Sequence, residues 1–327
     1  MLLTLLPLYH RLPAAQTEAR NVALVLRISL RYLIQTLTEE NVINHLTPDP
    51  SDVSLATSNA VLERLMLTAF EVLIDIPVSN RNYFLDTEAA SILLILLSVQ
   101  MYSVRPAQKS LIYRTIMSKK FAIHSLLLMK VLLNNFAKQE VPPADYQTGS
   151  IIIGLASGLW NVLSLGYGKA DEVPADAVLA RLSLFLILVL TNHCTSESNS
   201  YREAVFSCTD TKAGTEEPVS GFRIDFQSLF QVFCEVPSDD QTTLLLYILL
   251  HKNQSFRNYV ISRATDLDLI IVPILRILYD CPERSSHHVY MALIILLILS
   301  EDTLFNEAVH DNVSSMPFCP KLIPALK

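Results

Sequence analysis

Glycine is scarce in this chain, with 7 residues among 327, and proline outnumbers it at 16. A β-sandwich or barrel needs glycine at its tight turns, so the balance favours helices punctuated by proline. Charge is also thin: charged residues make up 17% of the sequence, apolar residues reach 51%, and the mean hydropathy is +0.35. That places the chain at the apolar end of water-soluble proteins, close enough to membrane proteins to require a test. A formal net charge of −7 argues against nonspecific nucleic-acid binding. The five cysteines, Cys194, Cys208, Cys234, Cys281 and Cys319, are widely spaced and contain no C-x-x-C pair. Neither a disulfide framework nor a zinc site fits that spacing; they read as reduced, mostly buried small apolar side chains. Walker loop, G-x-G-x-x-G and kinase signature are all missing. The opening MLLTLLPLYHR lacks a basic start, is broken by Pro7 and meets Arg11 at once, so it is not read as a signal peptide.

What is present is helical periodicity. Asn21 to Gln35 puts Val22, Val25, Leu26, Leu30 and Leu33 on one side, with Arg20, Arg27 and Arg31 on the other. A second helix opens at Thr57 and stops before Pro77. Asp86 reads as the cap of EAASILLILLSVQM, and FAIHSLLLMKVLLNNFAK is closed before Pro142-Pro143. Pro174 sits at the first turn of ADAVLARLSLFLILVL. Asp225 caps a helix carrying Phe226, Leu229, Phe230 and Phe233, and Ser238 to Gln241 reads as a capping box. Asp266 opens a helix that Pro273 should kink. No alternating strand is apparent, and Thr209 to Gly221 reads as a mobile surface loop.

LLLYILLHKNQSFRNYV (244–260) aligns without gaps on LIILLILSEDTLFNEAV (293–309), at an offset of 49 residues. Each copy is an apolar helix, a polar turn and a second helix with an aromatic (Phe256, Phe305) followed by valine (Val260, Val309). A third copy runs from Leu184 to Leu190, through a longer turn, to Tyr201–Val205. Such units resemble armadillo or HEAT repeats. The fold expected is therefore all-α, an α-solenoid-like array of helical hairpins over 21–313, with divergent ends at 1–20 and 314–327 and the mobile loop at 209–221. The apolar run Val289–Leu299 spans roughly 16 Å as a helix, about half of a hydrocarbon core, and reads as an inner helix of the stack.

The rival is an integral membrane protein with spans near 150–166 and 177–190. No charge falls between Asp145 and Lys169, and Gly154 and Gly158 form a G-x-x-x-G. Polar Gln147, Ser150, Ser157, Asn161 and Ser164 and five glycines weaken that span. Catalytic signals are poor. Ser157 lies one place late for a G-x-S-x-G elbow. His287 and His288 are adjacent, so they point to different sides of a helix start and suit helix entry or an interface better than a metal. Asp266-Leu-Asp268 fits the acidic preference of a helix N-terminus, with D-x-D metal chemistry the lesser reading. No catalytic residue, cofactor or metal ligand is assigned.

Charge sign is uneven. From Ala89 to Gln139 there is no acidic residue, whereas Arg105, Lys109, Arg114, Lys119, Lys120, Lys130 and Lys138 are basic. Arg105, Lys109, Arg114, Lys119 and Lys120 form a candidate basic surface patch with Tyr102, Tyr113 and Phe121 interleaved, suited to anionic headgroups or an acidic partner. A solvated face balanced by acids elsewhere is the plainer alternative.

TLLLYILLHKNQSFRNYVISRATDLDLIIVPILRILYDCPERSSHHVYMALIILLILSEDTLFNEAVHD (243–311) resembles the dymeclin family, as do GLASGLWNVLSLG (154–166), YREAVFS (201–207) and FRIDFQSL (222–229). The resemblance covers about 21–313. It implies a cytosolic, non-enzymatic protein held peripherally at the Golgi, needed for Golgi organisation and vesicle trafficking through protein partners and peripheral contact with anionic membrane. It implies neither nucleic acid nor a small-molecule substrate as partner. Family members begin Met-Gly, suited to myristoylation, whereas Leu2 follows Met1 here. They also continue past the position where this chain turns to SSMPFCPKLIPALK, which reads as a shortened form. An array missing its next repeat is expected to bare apolar surface and to self-associate or depend on a partner.

Overall fold

The computed structural model describes residues 13–46, 55–102, 107–143, 177–193, 198–212, 221–235, 239–263 and 266–315. These are overwhelmingly α-helical, as expected. The chain parts into two compact units, Met1–Ala204 and Val205–Lys327. The region of the first membrane-span candidate, with its G-x-x-x-G, Ser157 and Pro174, lies outside the described residues, as do Arg105 and most of the expected C-terminal tail.

The first unit is built around one helix. Helices α1 (Pro13–Thr36), α2 (Glu39–Leu46) and α3 (Leu55–Asp75) precede α4 (Tyr83–Leu97), all 15 residues of which are buried. Helices α1, α3 and the later α9 (Val178–Asn192) pack around α4, so no polar face is needed. Each leucine or isoleucine so covered contributes about 1.5–3 kcal/mol. Between α4 and α9 come α5 (Val99–Tyr102), α6 (Leu111–Ile116), α7 (Lys119–Ala122) and α8 (Ser125–Lys138), and α8 packs against α3 and α9. Helix α10 (Ser200–Ser207) follows α9.

Two sequence expectations fail here for physical reasons. The buried face of α1 is Ala19, Ala23, Arg27, Leu30 and Ile34, whereas Val25 is exposed and Val22 and Leu33 are only partly covered. Small alanines face inward here, and Arg27, expected on the solvent side, is buried in an ion pair with Glu88 of α4. Asp86 caps nothing. Helix α4 begins three residues earlier, at Tyr83, and leaves Asp86 in its first turn, buried, with no hydrogen-bond partner for either carboxylate oxygen. Burial, then the nearby Glu140 charge, pushes the Asp86 carboxyl up to about 8.

In the second unit, Thr209–Asp210 (β1) and Arg223–Ile224 (β2) pair in parallel, a short ladder the alternation pattern was too brief to show. It ties both ends of the expected loop at 209–221. Gly221 is required: its φ is +125°, and an added Cβ would lie 2.4 Å from the Ser207 carbonyl oxygen. Then come α11 (Phe226–Glu235), α12 (Asp240–Lys252), α13 (Gln254–Ser262), α14 (Leu267–Tyr279), α15 (Ser286–Ser300) and α16 (Thr303–Ser315). They form two successive triplets, α11–α13 and α14–α16, with α14 on α11 and α15 on α12. The repeat expected as a hairpin is therefore a triplet in this unit. Phe226, Phe233 and Phe256 meet edge-on at the centre of the first, with ring centroids 5.2 and 5.9 Å from Phe256. Helix α14 runs from Leu267 to Tyr279 with Pro273 inside it.

The polar turns of the repeat are capped at matching positions. Asn253 Oδ1 accepts from Phe256 N at 2.9 Å, and Asp302 Oδ1, 49 residues later, accepts from Leu304 N at 2.9 Å. Asn253 is also buried, and its Nδ2 donates to the carbonyls of Val205 and Cys208 at 2.9 and 2.8 Å. Asn253→Ala should therefore cost about 2–3 kcal/mol, more than a surface cap. Asn253→Asp keeps the acceptor but turns a carboxylate toward two carbonyls, so it should destabilise at least as much. Urea midpoints of both variants check this; near-native Asn253→Asp would show that only the cap matters. The capping of α12 also shifts from expectation: Asp239, accepting from Thr242 N at 2.6 Å, is the cap. Asp225 caps α11 as expected, accepting from Gln227 N at 3.2 Å.

No single described helix is long and apolar enough to cross a membrane. Helix α9, the second span of the membrane rival, has 15 residues, of which 11 are buried in protein. Helix α15 and the following Thr303–His310 together reach the needed length, but they meet at 99°.

Candidate interaction surface

The basic segment is shaped from a distance. Glu39, in the first turn of α2, accepts from Ser110 Oγ at 2.6 Å and from Ile112 N at 2.9 Å, so its carboxylate serves the start of α6. Ser110 itself caps α6 through Tyr113 N. Of the expected patch, Lys109, Arg114, Lys119 and Lys120 are exposed, and Lys120 pairs with Glu63 of α3 at 2.7 Å. Of the aromatics expected among them, Tyr102's side chain lies outside the described ones, and Tyr113 and Phe121 are not on the surface. Tyr113 is buried with its hydroxyl donating to the Leu97 carbonyl, and Phe121 is buried edge-on against Phe70. They anchor the segment rather than face a ligand.

Apolar side chains missed by the sequence reading take the outer place. Ile123 is 73% exposed and Leu127 51%, with Leu126 also exposed, and Lys119, Lys120 and Lys130 lie close to them in sequence. Positions 126, 127 and 130 share one face of α8, and Ile123 lies in the turn just before that helix. Leu128, Met129, Leu132, Leu133 and Phe136 carry the core instead.

The other singled-out residues are structural. His287 is exposed and His288 is buried in the first turn of α15. His288 Nε2 lies 2.9 Å from Thr243 Oγ1, and its Nδ1 lies 2.8 Å from Asp240 Oδ1, too oblique for a proper hydrogen bond. Ser285 Oγ donates to Asp240 Oδ2 at 2.6 Å. Burial raises the Asp240 carboxyl, but the neighbouring His288 ring and the Ser285 hydroxyl outweigh it and hold it below its usual range. The set latches the starts of α12 and α15 through His288 at a helix entry, while exposed His287 lies outside it. Asp266 pairs with Arg263 at 3.0 Å. Among the described residues no three His, Cys, Asp or Glu side chains are grouped to hold a metal. Of the described cysteines expected to be mostly buried, Cys208 is buried, with its thiol pushed up to about 12 by burial, Cys234 is half-buried and Cys281 is exposed.

The profile of the family described as "Dymeclin: Dyggve-Melchior-Clausen syndrome protein" matches residues 10–324. The chain belongs to the dymeclin family. It is 36% identical to mouse dymeclin over 319 residues, covering 90% of this chain and 47% of that protein. Chicken dymeclin is 37% identical over 318 residues, again 90% of this chain and 47% of the relative. For dymeclin of Drosophila melanogaster the figures are 35% over 314 residues, 90% and 44%. This dymeclin-family chain thus spans less than half the length of the curated relatives it matches. No solved structure matches it.

Proposed function

We propose that this chain acts as a non-catalytic, solenoid-like scaffold at the cytosolic face of the Golgi. It supports Golgi organisation and vesicle trafficking through protein contacts and a light touch on anionic membrane. Family membership supports the general role. The observation that carries the membrane contact is the exposed Ile123, Leu126 and Leu127 set among lysines: apolar side chains enter the headgroup region while bases meet its charge. Each well-placed base adds about 1 kcal/mol of attraction, and Lys120 adds less because Glu63 already pairs with it.

Flotation with vesicles of phosphatidylcholine alone, or with phosphatidylserine added, tests this reading. Binding should need the anionic lipid and fall as salt rises. It should drop at least tenfold when Lys109, Arg114, Lys119 and Lys120 are reversed to Glu together, and again with Ile123→Glu. Unchanged flotation in both variants removes the membrane contact from the proposal.

A further inference from the structure

The two triplets of the second unit allow one layer to be read against the other. At the 49-residue offset Ile248 of α12 corresponds to Leu297 of α15, and Leu244 to Leu293. Ile248 is 7% exposed; Leu297 is 60% exposed. The same register position is covered in one layer and bare in the next. Helix α15 buries His288, Ala292, Ile295 and Leu299 on the side that meets α12, and by helical period its opposite side carries Tyr290, Leu293 and Leu297, all exposed. Helix α14 repeats the arrangement, burying Ile270, Ile274 and Ile277 and exposing Leu269, Leu275 and Tyr279. Both helices meet the preceding layer with one side and leave the other uncovered. The stretch expected to be an inner helix is thus inner on one side only.

Six large apolar side chains on two adjoining helices, with Arg276 the exposed charge beside them, exceed scattered surface hydrophobics. A single exposed cation gives anionic lipid or an acidic peptide little to pair with. A helix apolar on its facing side fits, because that is what α15 itself offers to α12.

We propose that the Tyr290–Leu293–Leu297 face, with Leu269, Leu275 and Tyr279, is the docking surface for a further helical layer. That layer belongs to the part of the dymeclin sequence outside the matched half. The relatives carry more than as much chain again, which is the length from which such a layer would come. The proposal stands apart from the membrane contact, which concerns other helices.

Cysteine labelling tests it. Leu297→Cys in this chain should react with maleimide about as fast as the native exposed Cys281, read by peptide mass. A cysteine at the aligned position of full-length mouse dymeclin should react at least tenfold more slowly. A benzophenone-maleimide placed there should cross-link to a peptide outside the matched half of the same molecule. Equal rates in the two proteins would overturn the proposal, as would a cross-link to a second copy or to lipid. Slow labelling within this chain alone would overturn it too, since its own residues would then cover the face. Leu297→Ser, with an unchanged melting curve, controls for folding.

Discussion

Asp86→Asn should flatten the dependence of stability on pH between about 4 and 8. In the folded chain the Asp86 carboxyl is raised from 3.8 to about 8, so the folded state keeps a proton that the unfolded chain releases. Stability therefore falls as pH rises through that window, by about 1.4 kcal/mol per unit for one fully coupled proton. Below about pH 4 both states hold the proton and the loss vanishes. Glu88 is raised as well, by burial against the pull of Arg27 and Arg20, and contributes a fall of the same sign. The variant should thus keep a residual slope. Urea midpoints at pH 5 and pH 7.5 decide the matter: equal pH slopes in the two proteins would mean that Asp86 is ionised in the fold, against its buried and unpartnered position.

Removing one member of the Arg27–Glu88 pair should be the most damaging single change in α1. Arg27→Leu strands the Glu88 charge in the interior and should cost about 3–5 kcal/mol. Adding Glu88→Leu should recover most of that loss, because two apolar side chains then meet where the pair stood. A double variant as unstable as the sum of the singles would show that the two residues do not act together. Arg27 Nη2 is buried without a partner, so the pair is not fully satisfied, and the double variant has room to approach the parent.

These two sites mark the limit of what the sequence disclosed. Periodicity located the longer described helices but not α2, α6 or α7, and the 49-residue repeat found α12–α13 and α15–α16 with Phe256 and Phe305 buried in both. It could not say which side of α1 turns inward, because that depends on Glu88, 61 residues away. An aspartate before an apolar run reads as a cap on local rules, and only packing places Asp86 inside. Asn253 read only as part of a polar turn, although it is the best-connected turn residue of the repeat. At the candidate surface the lysines were legible as charge. Ile123 and Leu127 were not, since exposure of an apolar residue is set by the neighbours a sequence does not show.

The carboxylate of Glu39 gives the basic segment a history of its own. A helix of six residues such as α6 is too short to persist alone in water, and the donors at its start are met by a residue 71 and 73 positions upstream. The lysines that follow are therefore held in place by a distant part of the chain. Residues 107–139 moved into another protein would bring their charges along but lose the shape that displays them.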